Sequence, residues 1–481
     1  MEVSLKKILT EGIREKAAEH FLRDVIKNTT WENKVFAAGG YVRDEISGRD
    51  PKDLDIVVDS QPDGGIEFAK WITQKIGNYK EESNPVIYPR FGTAKFHLNG
   101  VIYDGVDLTG FEIESVMPRS EEYTAGSRKP DVSASTLSQD ALRRDTTFNS
   151  LFKNISTGEV LDFTGKGISD LKNGIIRTPI DPNKTFIDDP LRMLRVIRFY
   201  AKYKYKIPQS IIRALKKNAA QINNISEERI QDELNKILVT TNVKNALRLL
   251  KITGLLEHIM PEFKAAYNMT QNRHHNEKVF DHILSVLQNT KPNLITRLQA
   301  LFHDIGKTTT RSVVDNEIHF YRHEEVSGEM AKEILTRLKY PTNIINAAVI
   351  GVKSHLRLKP AGKHGDKISD KALRKFVIDL GDQLESTLDL MDADNNAHAP
   401  ESAMPDQIPA IINRLNALKA SIPQKGEKLP ITGKDLIDLG LTPGPLFSKL
   451  LDVVKDKQLE NPNTTREEYI DLIKNIIKQQ L

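Results

Sequence analysis

Lys34-Val35-Phe36-Ala37-Ala38-Gly39-Gly40-Tyr41-Val42-Arg43-Asp44, followed shortly by Asp53-Leu54-Asp55-Ile56-Val57-Val58, decides the fold of this chain. An apolar run, a double glycine, a helix-like stretch and a β-branched run read as strand, turn, helix, strand. On the second strand the i, i+2 spacing turns Asp53 and Asp55 to one face. Two acids held side by side repel, and a divalent metal is the commonest reason to keep them there. The glycine turn upstream suits a phosphate. Metal beside phosphate points to nucleotidyl or phosphoryl transfer. A bare Asp-x-Asp reads equally well as a solvated strand end; Gly39-Gly40 and Arg43 together tip the balance.

Outward from this stretch, strand-like runs at 34–38, 54–58, 92–98 and 101–108 alternate with a clear helix at 64–76, an α/β pattern with one sheet. Residues 1–30 read as a helix with Leu5, Ile8, Leu9 and Ile13 on one stripe. Residues 117–137, rich in Ser, Arg, Pro and Gly, read as a mobile loop. Ser138-Gln139-Asp140 resembles a helix cap. Helical periodicity dominates 186–260 and again 274–400, where most of the histidines lie; 399–430 is a proline-bearing link and the last fifty residues form a small helical tail. The expected division is an N-terminal helix (1–30), a head (31–150), a helical neck (151–260), a second helical domain (261–400), and a linker with helical tail (401–481).

Composition narrows the class. The chain has 481 residues, 39% hydrophobic and 28% charged, as in ordinary globular proteins, and a net charge of +4. That charge permits a nucleic-acid partner without requiring one. Cysteine is absent, which excludes disulfides and thiolate metal sites and allows a reducing cytoplasm, the expected location. No apolar run has the length of a membrane span, and the charged N-terminus lacks the apolar centre of a signal peptide.

Further motifs follow the first: Arg143-Arg144-Asp145-Thr146-Thr147-Phe148-Asn149, Gly167-Ile168-Ser169-Asp170-Leu171 with Ile176-Arg177-Thr178, Asp188-Asp189-Pro190-Leu191-Arg192-Met193-Leu194-Arg195, and Ile225-Ser226-Glu227-Glu228-Arg229. With Gly39-Gly40-Tyr41-Val42-Arg43-Asp44 and Asp53-Leu54-Asp55, they resemble the signature of class II CCA-adding enzymes and bacterial poly(A) polymerases. The resemblance covers residues 34–240. It implies that Asp53 and Asp55 bind magnesium for catalysis, with Asp107 as a third acid where the family usually has Glu. It implies that Gly39, Gly40, Arg43 and Arg144 hold the triphosphate, that Asp145 accepts from the ribose 2′-hydroxyl, and that Asp189, Arg192 and Arg195 face the nucleotide. The implied fold is an α+β head with a nucleotidyltransferase-type mixed sheet, followed by a largely all-α neck, a helical domain and a helical tail.

Asp189 and Arg192, at i and i+3 on an expected helix, share one face. A carboxylate accepts the exocyclic amino group of cytosine or adenine, and a guanidinium donates to the ring nitrogen beside it. Uracil reverses both contacts. Outside this context the same spacing reads first as an intrahelical ion pair.

In the C-terminal half, Ala300-Leu301-Phe302-His303-Asp304-Ile305-Gly306-Lys307 resembles the central motif of HD-domain phosphohydrolases. His282 upstream and His323, His355 and Asp394 downstream complete a series of imidazoles and carboxylates suited to a second divalent metal. The resemblance implies a metal-dependent phosphodiesterase or phosphatase, acting on 2′,3′-cyclic phosphate ends, or a helical scaffold that holds RNA. Tyr200-Ala201-Lys202-Tyr203-Lys204-Tyr205-Lys206 interleaves aromatic and basic residues and reads as an RNA contact or, more readily, as a solvated helix exit. The resulting expectation is template-independent addition of C, C and A to tRNA from CTP and ATP. A poly(A) polymerase on the same scaffold and an HD phosphohydrolase are the alternatives. The sequence sets no oligomeric state.

Overall fold

In the computed structural model the described residues are 12–60, 62–76, 84–122, 131–271, 276–362, 364–422 and 429–480. They form two compact units, Met1–Ile259 and Met260–Leu481.

The first unit opens with α1 (Ile13–Ile26), β1 (Val35–Ala38), α2 (Gly40–Ile46), β2 (Asp55–Val58) and α3 (Gly64–Ile76). Then come β3 (Val86–Tyr88), β4 (Thr93–His97), β5 (Ile102–Tyr103), β6 (Val106–Asp107), β7 (Glu112–Val116), β8 (Arg119–Glu122) and β9 (Asp131–Ala134). After α4 (Leu137–Leu142), strands β10 (Phe152–Asn154) and β11 (Val160–Leu161) complete a seven-stranded sheet in the order β11-β10-β1-β2-β7-β4-β3. Its β2–β7 pair is parallel, and its other pairings are antiparallel. The mixed sheet is the architecture the motifs imply.

Packing explains the central order. Val35, Ala37, Ile56 and Val58 are fully buried, as expected of strands covered on both faces. Helix α3 lays Ile66, Phe68, Ala69 and Ile72 on the sheet. It starts so close that a Cβ on Gly65 would lie 2.7 Å from the Val116 backbone, and Ser115 Oγ donates to the Gly65 carbonyl (2.9 Å). On the other face Phe36, Val57 and Phe152 pack with Leu137 and Ala141 of α4. Burial of each large side chain contributes about 1.5–3 kcal/mol.

Three expectations change in detail. Ile13 is 51% exposed; Ala17, Ala18, Leu22 and Ile26 supply the buried stripe of α1, and Leu5, Ile8 and Leu9 lie outside the described residues. The expected loop at 117–137 is partly the hairpin β8–β9, because Arg119–Glu122 pairs with Asp131–Ala134. Helix α4 begins one residue before Ser138, with Thr136 as its cap accepting from the Gln139 N–H.

The neck is helical: α5 (Gly167–Asn173), α6 (Pro182–Asp188), α7 (Leu191–Tyr203), α8 (Gln209–Asn218), α9 (Glu227–Leu238), α10 (Val243–Thr253) and α11 (Leu255–Ile259). Among its described residues the second unit is helical apart from one hairpin. Its elements are α12 (Val279–Asn289), α13 (Leu294–Phe302), α14 (Lys307–Thr310), the hairpin Arg311–Val314 with Glu317–Phe320, α15 (His323–Arg337), α16 (Thr342–Ser354), α17 (Asp370–Leu380), α18 (Leu384–Asn396) and α19 (Gln407–Leu418). The tail helices α20 (Gly433–Asp438), α21 (Pro445–Glu460) and α22 (Arg466–Gln480) enclose Ile431, Leu436, Leu450, Val454, Tyr469 and Ile473. No helix of the described residues is long and apolar enough to cross a membrane.

Candidate nucleotidyl-transfer and metal sites

Strand β2 begins at Asp55, so Asp53 precedes it rather than lying in it. The two still alternate with Leu54, which is 1% exposed, so both acids point away from the core. The parallel pairing with β7 sets Asp55 directly beside Glu114. Enclosure, with repulsion from Glu114 and Asp53 added, pushes the Asp55 carboxyl up to about 6; Arg144 and Lys95 oppose the shift. Asp55 and Glu114, paired across the two strands with Asp53 two residues upstream, are oxygen donors of the kind a divalent cation takes.

Asp107 does not join them. It sits in the separate two-stranded β5–β6 sheet, exposed, with its carboxylate accepting from the Thr109 N–H (2.9 Å). Glu114 takes the place expected of Asp107. Its signal was the alternation Glu112-Ile113-Glu114-Ser115-Val116, a half-buried strand pattern beyond the run ending at 108.

Asp55 and Glu114 line a cleft of about 180 Å³, lined also by Gly39, Arg119, Arg143 and Arg144; Asp53 is not among its lining residues. Asp140, fully buried, orients two of the arginines: it pairs with Arg143 (2.5 Å) and with Arg144 (2.9 Å). Burial alone would raise the Asp140 carboxyl, but these arginines hold it below its ordinary value. Gly39 has φ +64°, and a Cβ there would meet the Arg144 guanidinium at 3.2 Å, so the turn needs glycine. Arg43 is not among the residues lining the cleft; it is 7% exposed and bound to Asp44 and Asn149.

Asp189 and Arg192 do not share a helix. Asp189 is the extended residue that ends α6, Pro190 follows, and Arg192 lies in the first turn of α7. The break brings the two together another way. Asp189 Oδ1 accepts from the Leu191 N–H (3.1 Å), and the Arg192 N–H donates to the Asp189 carbonyl (3.0 Å). Arg229, in a motif to which the sequence reading gave no role, pairs with Asp189 Oδ2 at 3.1 Å. One turn along α7, Arg195 pairs with the buried Asp145 at 2.8 Å. Asp145 also accepts from the Asn149 amide (2.9 Å).

In the second unit two trios, His282–His303–Asp394 and Asp304–His323–His355, each hold one ligand atom per residue within 4.8 Å of the others, all buried. Asp304 lies between them, 3.4 Å from His282, 3.3 Å from His303 and 3.2 Å from His323. The Nδ1 atoms of His303, His323 and His355 lie 2.9, 2.7 and 2.7 Å from backbone carbonyls. That contact puts the proton on Nδ1 and leaves the Nε2 lone pairs facing the carboxylates, as metal-binding imidazoles require. Burial and the neighbouring His303 and His323 push the His355 imidazole down to about 3, a neutral ligand. Lys307 and Lys359 approach Asp304 (2.7 Å) and Asp394 (2.9 Å). The residues therefore fit divalent metal. A pocket of about 530 Å³ opens over them, lined also by His398, Tyr321 and Met404. His319 also lines this pocket.

Comparison with known proteins bears on both units. The model of the poly A polymerase head domain matches residues 35–177, that of the probable RNA and SrmB-binding site of polymerase A matches 204–267, and that of the HD domain matches 279–395. The A-adding tRNA nucleotidyltransferase of Deinococcus radiodurans is 30% identical over 330 residues, covering 66% of this chain and 74% of that one. The chain belongs to the tRNA nucleotidyltransferase family. The mitochondrial CCA tRNA nucleotidyltransferase of Saccharomyces cerevisiae is 39% identical over 228 residues, 44% of this chain, and the match spans only 40% of that protein's length. The fold of the whole chain is that of the CCA-adding enzyme of Bacillus stearothermophilus solved in complex with CTP, with a TM-score of 0.65, 19% identity and 98% of each chain covered.

Proposed function

We propose that the protein is a CCA tRNA nucleotidyltransferase, adding C, C and A to tRNA 3′ ends from CTP and ATP and releasing pyrophosphate. One observation carries the reading: acids from two parallel strands, Asp55 and Glu114, face Arg119, Arg143 and Arg144 across a single cleft. Asp53, Asp55 and Glu114 would hold divalent metal, magnesium in this reading; when bound, it supplies the charge that activates the RNA 3′-hydroxyl and neutralises the triphosphate. Arg119, Arg143 and Arg144 attract the triphosphate oxygens and stabilise the charge that builds on the departing pyrophosphate. Asp140 keeps two of those arginines aimed before substrate arrives, so little reorganisation is needed.

Asp189 and Arg192 select the base. The carboxylate accepts the amino group of cytosine or adenine, and the guanidinium donates to the adjacent ring nitrogen. Leu191 and Arg229 engage one carboxylate oxygen each, and an ionised carboxylate has lone pairs left for the base. Uracil presents an acceptor to Asp189 and a donor to Arg192, and is refused.

One Asp–Arg pair can accept both bases, as addition of C and of A by a single chain requires. The cysteine-free chain suits a reducing cytoplasm. The test is nucleotide addition to tRNA lacking its CCA end, with CTP and ATP present: the parent chain extends it and Asp55→Ala does not. Unchanged addition by Asp55→Ala overturns the metal assignment.

The two buried histidine–carboxylate trios favour a second, independent activity. They would hold divalent metal for hydrolysis of phosphoesters, with 2′,3′-cyclic phosphate RNA ends as substrate. Loss of phosphoesterase activity in His303→Ala, with nucleotide addition intact, is the expected result.

A further inference from the structure

The aromatic–basic stretch at 200–206 enters neither activity as proposed above, yet its middle residue is built into the head. Tyr203 ends α7 and lies under two guanidinium groups, with Arg43 5.3 Å and Arg49 4.6 Å from its ring centre. Phe199, one turn earlier, stacks on Tyr203 at 10° between ring planes, packs edge-on against Phe148 (5.4 Å) and lies 5.9 Å from Arg43. The Tyr203 hydroxyl is buried and has no hydrogen-bond partner, so the ring rather than the oxygen holds the contact.

Arg43 is committed on its other sides too. Nε and Nη2 donate to the two oxygens of Asp44 (2.9 and 2.6 Å), and Nη1 donates to Asn149 Oδ1 (2.8 Å). Arg49 donates to the same Asp44 (3.2 Å). Asn149 in turn donates to Asp145, which pairs with Arg195 of α7. Helix α7 therefore touches the head twice, through Arg195 and through Phe199 with Tyr203, and presents Arg192 in its first turn. A guanidinium so enclosed by carboxylate, amide and rings is a structural joint, and its flat fork is what a lysine cannot reproduce.

We propose that Arg43 is not a phosphate ligand, and that Arg43 and Tyr203 form a clasp at the C-terminal end of α7 that fixes this helix, whose first turn carries Arg192, relative to the triphosphate cleft. This rests on the assignment of cleft and base selector made above. A nucleoside triphosphate engages both ends at once, so its affinity depends on their spacing being held; inorganic tripolyphosphate engages the cleft alone. Tyr203 is then a positioning residue.

The test is equilibrium binding of CTP and of inorganic tripolyphosphate to the full chain, with turnover on tRNA read separately. Tyr203→Leu should weaken CTP about tenfold and leave tripolyphosphate within about twofold. Tyr203→Phe should bind CTP as the parent does. Arg43→Lys keeps the charge and loses the fork, so it should match Tyr203→Leu, and it serves if that variant does not fold. Retention of CTP affinity by Arg43→Lys, or equal losses for CTP and tripolyphosphate in either variant, would overturn the clasp. A parent chain that shows this binding pattern but adds no nucleotide to tRNA supports the clasp and contradicts the transferase reading alone.

Discussion

Glu114 is the residue that completes the proposed metal site of the head. It stands opposite Asp55 across the parallel β2–β7 pair, whereas Asp107 lies on a separate small sheet. Glu114→Gln should lower nucleotide addition by about a hundredfold or more, and Asp107→Asn should leave it within about twofold. Steady-state rates on one tRNA substrate decide between them. Asp55 adds a pH dependence. Its carboxyl is raised to about 6, so below that pH a proton competes with the cation for the same oxygens. The magnesium concentration giving half-maximal rate should therefore rise as pH falls from 7.5 to 5.5, and a flat profile would contradict the crowding of Asp55 by Glu114 and Asp53. The first and second strands were legible because their apolar runs are unbroken. Glu114 was not, because two short strands and their turns separate it from the preceding pattern.

At the scale of elements, the short helix α4 aims the arginines of the cleft. Asp140 lies inside it at 0% exposure, with Arg143 and Arg144 paired to it. Asp140→Asn removes the charge and leaves two cations against a neutral amide, which should destabilise the head by about 1–3 kcal/mol in denaturant titrations. The folded carboxyl lies below its unfolded value, so this stabilisation is present above about pH 4 and is lost as pH falls through the lower folded value. The parent should accordingly lose more stability than the variant on acidification from pH 5 to 3. The break between α6 and α7 shows where sequence pattern stops. Periodicity merges 186–203 into one helix, but Pro190 lacks the N–H a continuous helix needs, and Asp189 turns extended before it. The two residues proposed to select the base are therefore joined across a kink rather than along a helical face.

For the whole molecule, two compact units carry two sets of chemistry-bearing residues. The order of the motifs pointed to the second set: each histidine and carboxylate of the HD series falls in one of the two buried trios. What stayed hidden was the pairing of Nδ1 atoms with carbonyls, which depends on helix ends the spacing does not reveal. The proposed independence of the two sets has a direct consequence. Asp53→Ala with Asp55→Ala should abolish nucleotide addition and spare any phosphoesterase activity, and His303→Ala should do the reverse, each assayed on the same preparations. The decisive measurement offers the purified protein a tRNA ending just before its CCA, with labelled CTP as the only nucleotide. A CCA-adding enzyme adds two C residues and stops, then adds one A when ATP is supplied; a chain that ignores CTP, or that stays at two C residues with ATP present, contradicts the assignment.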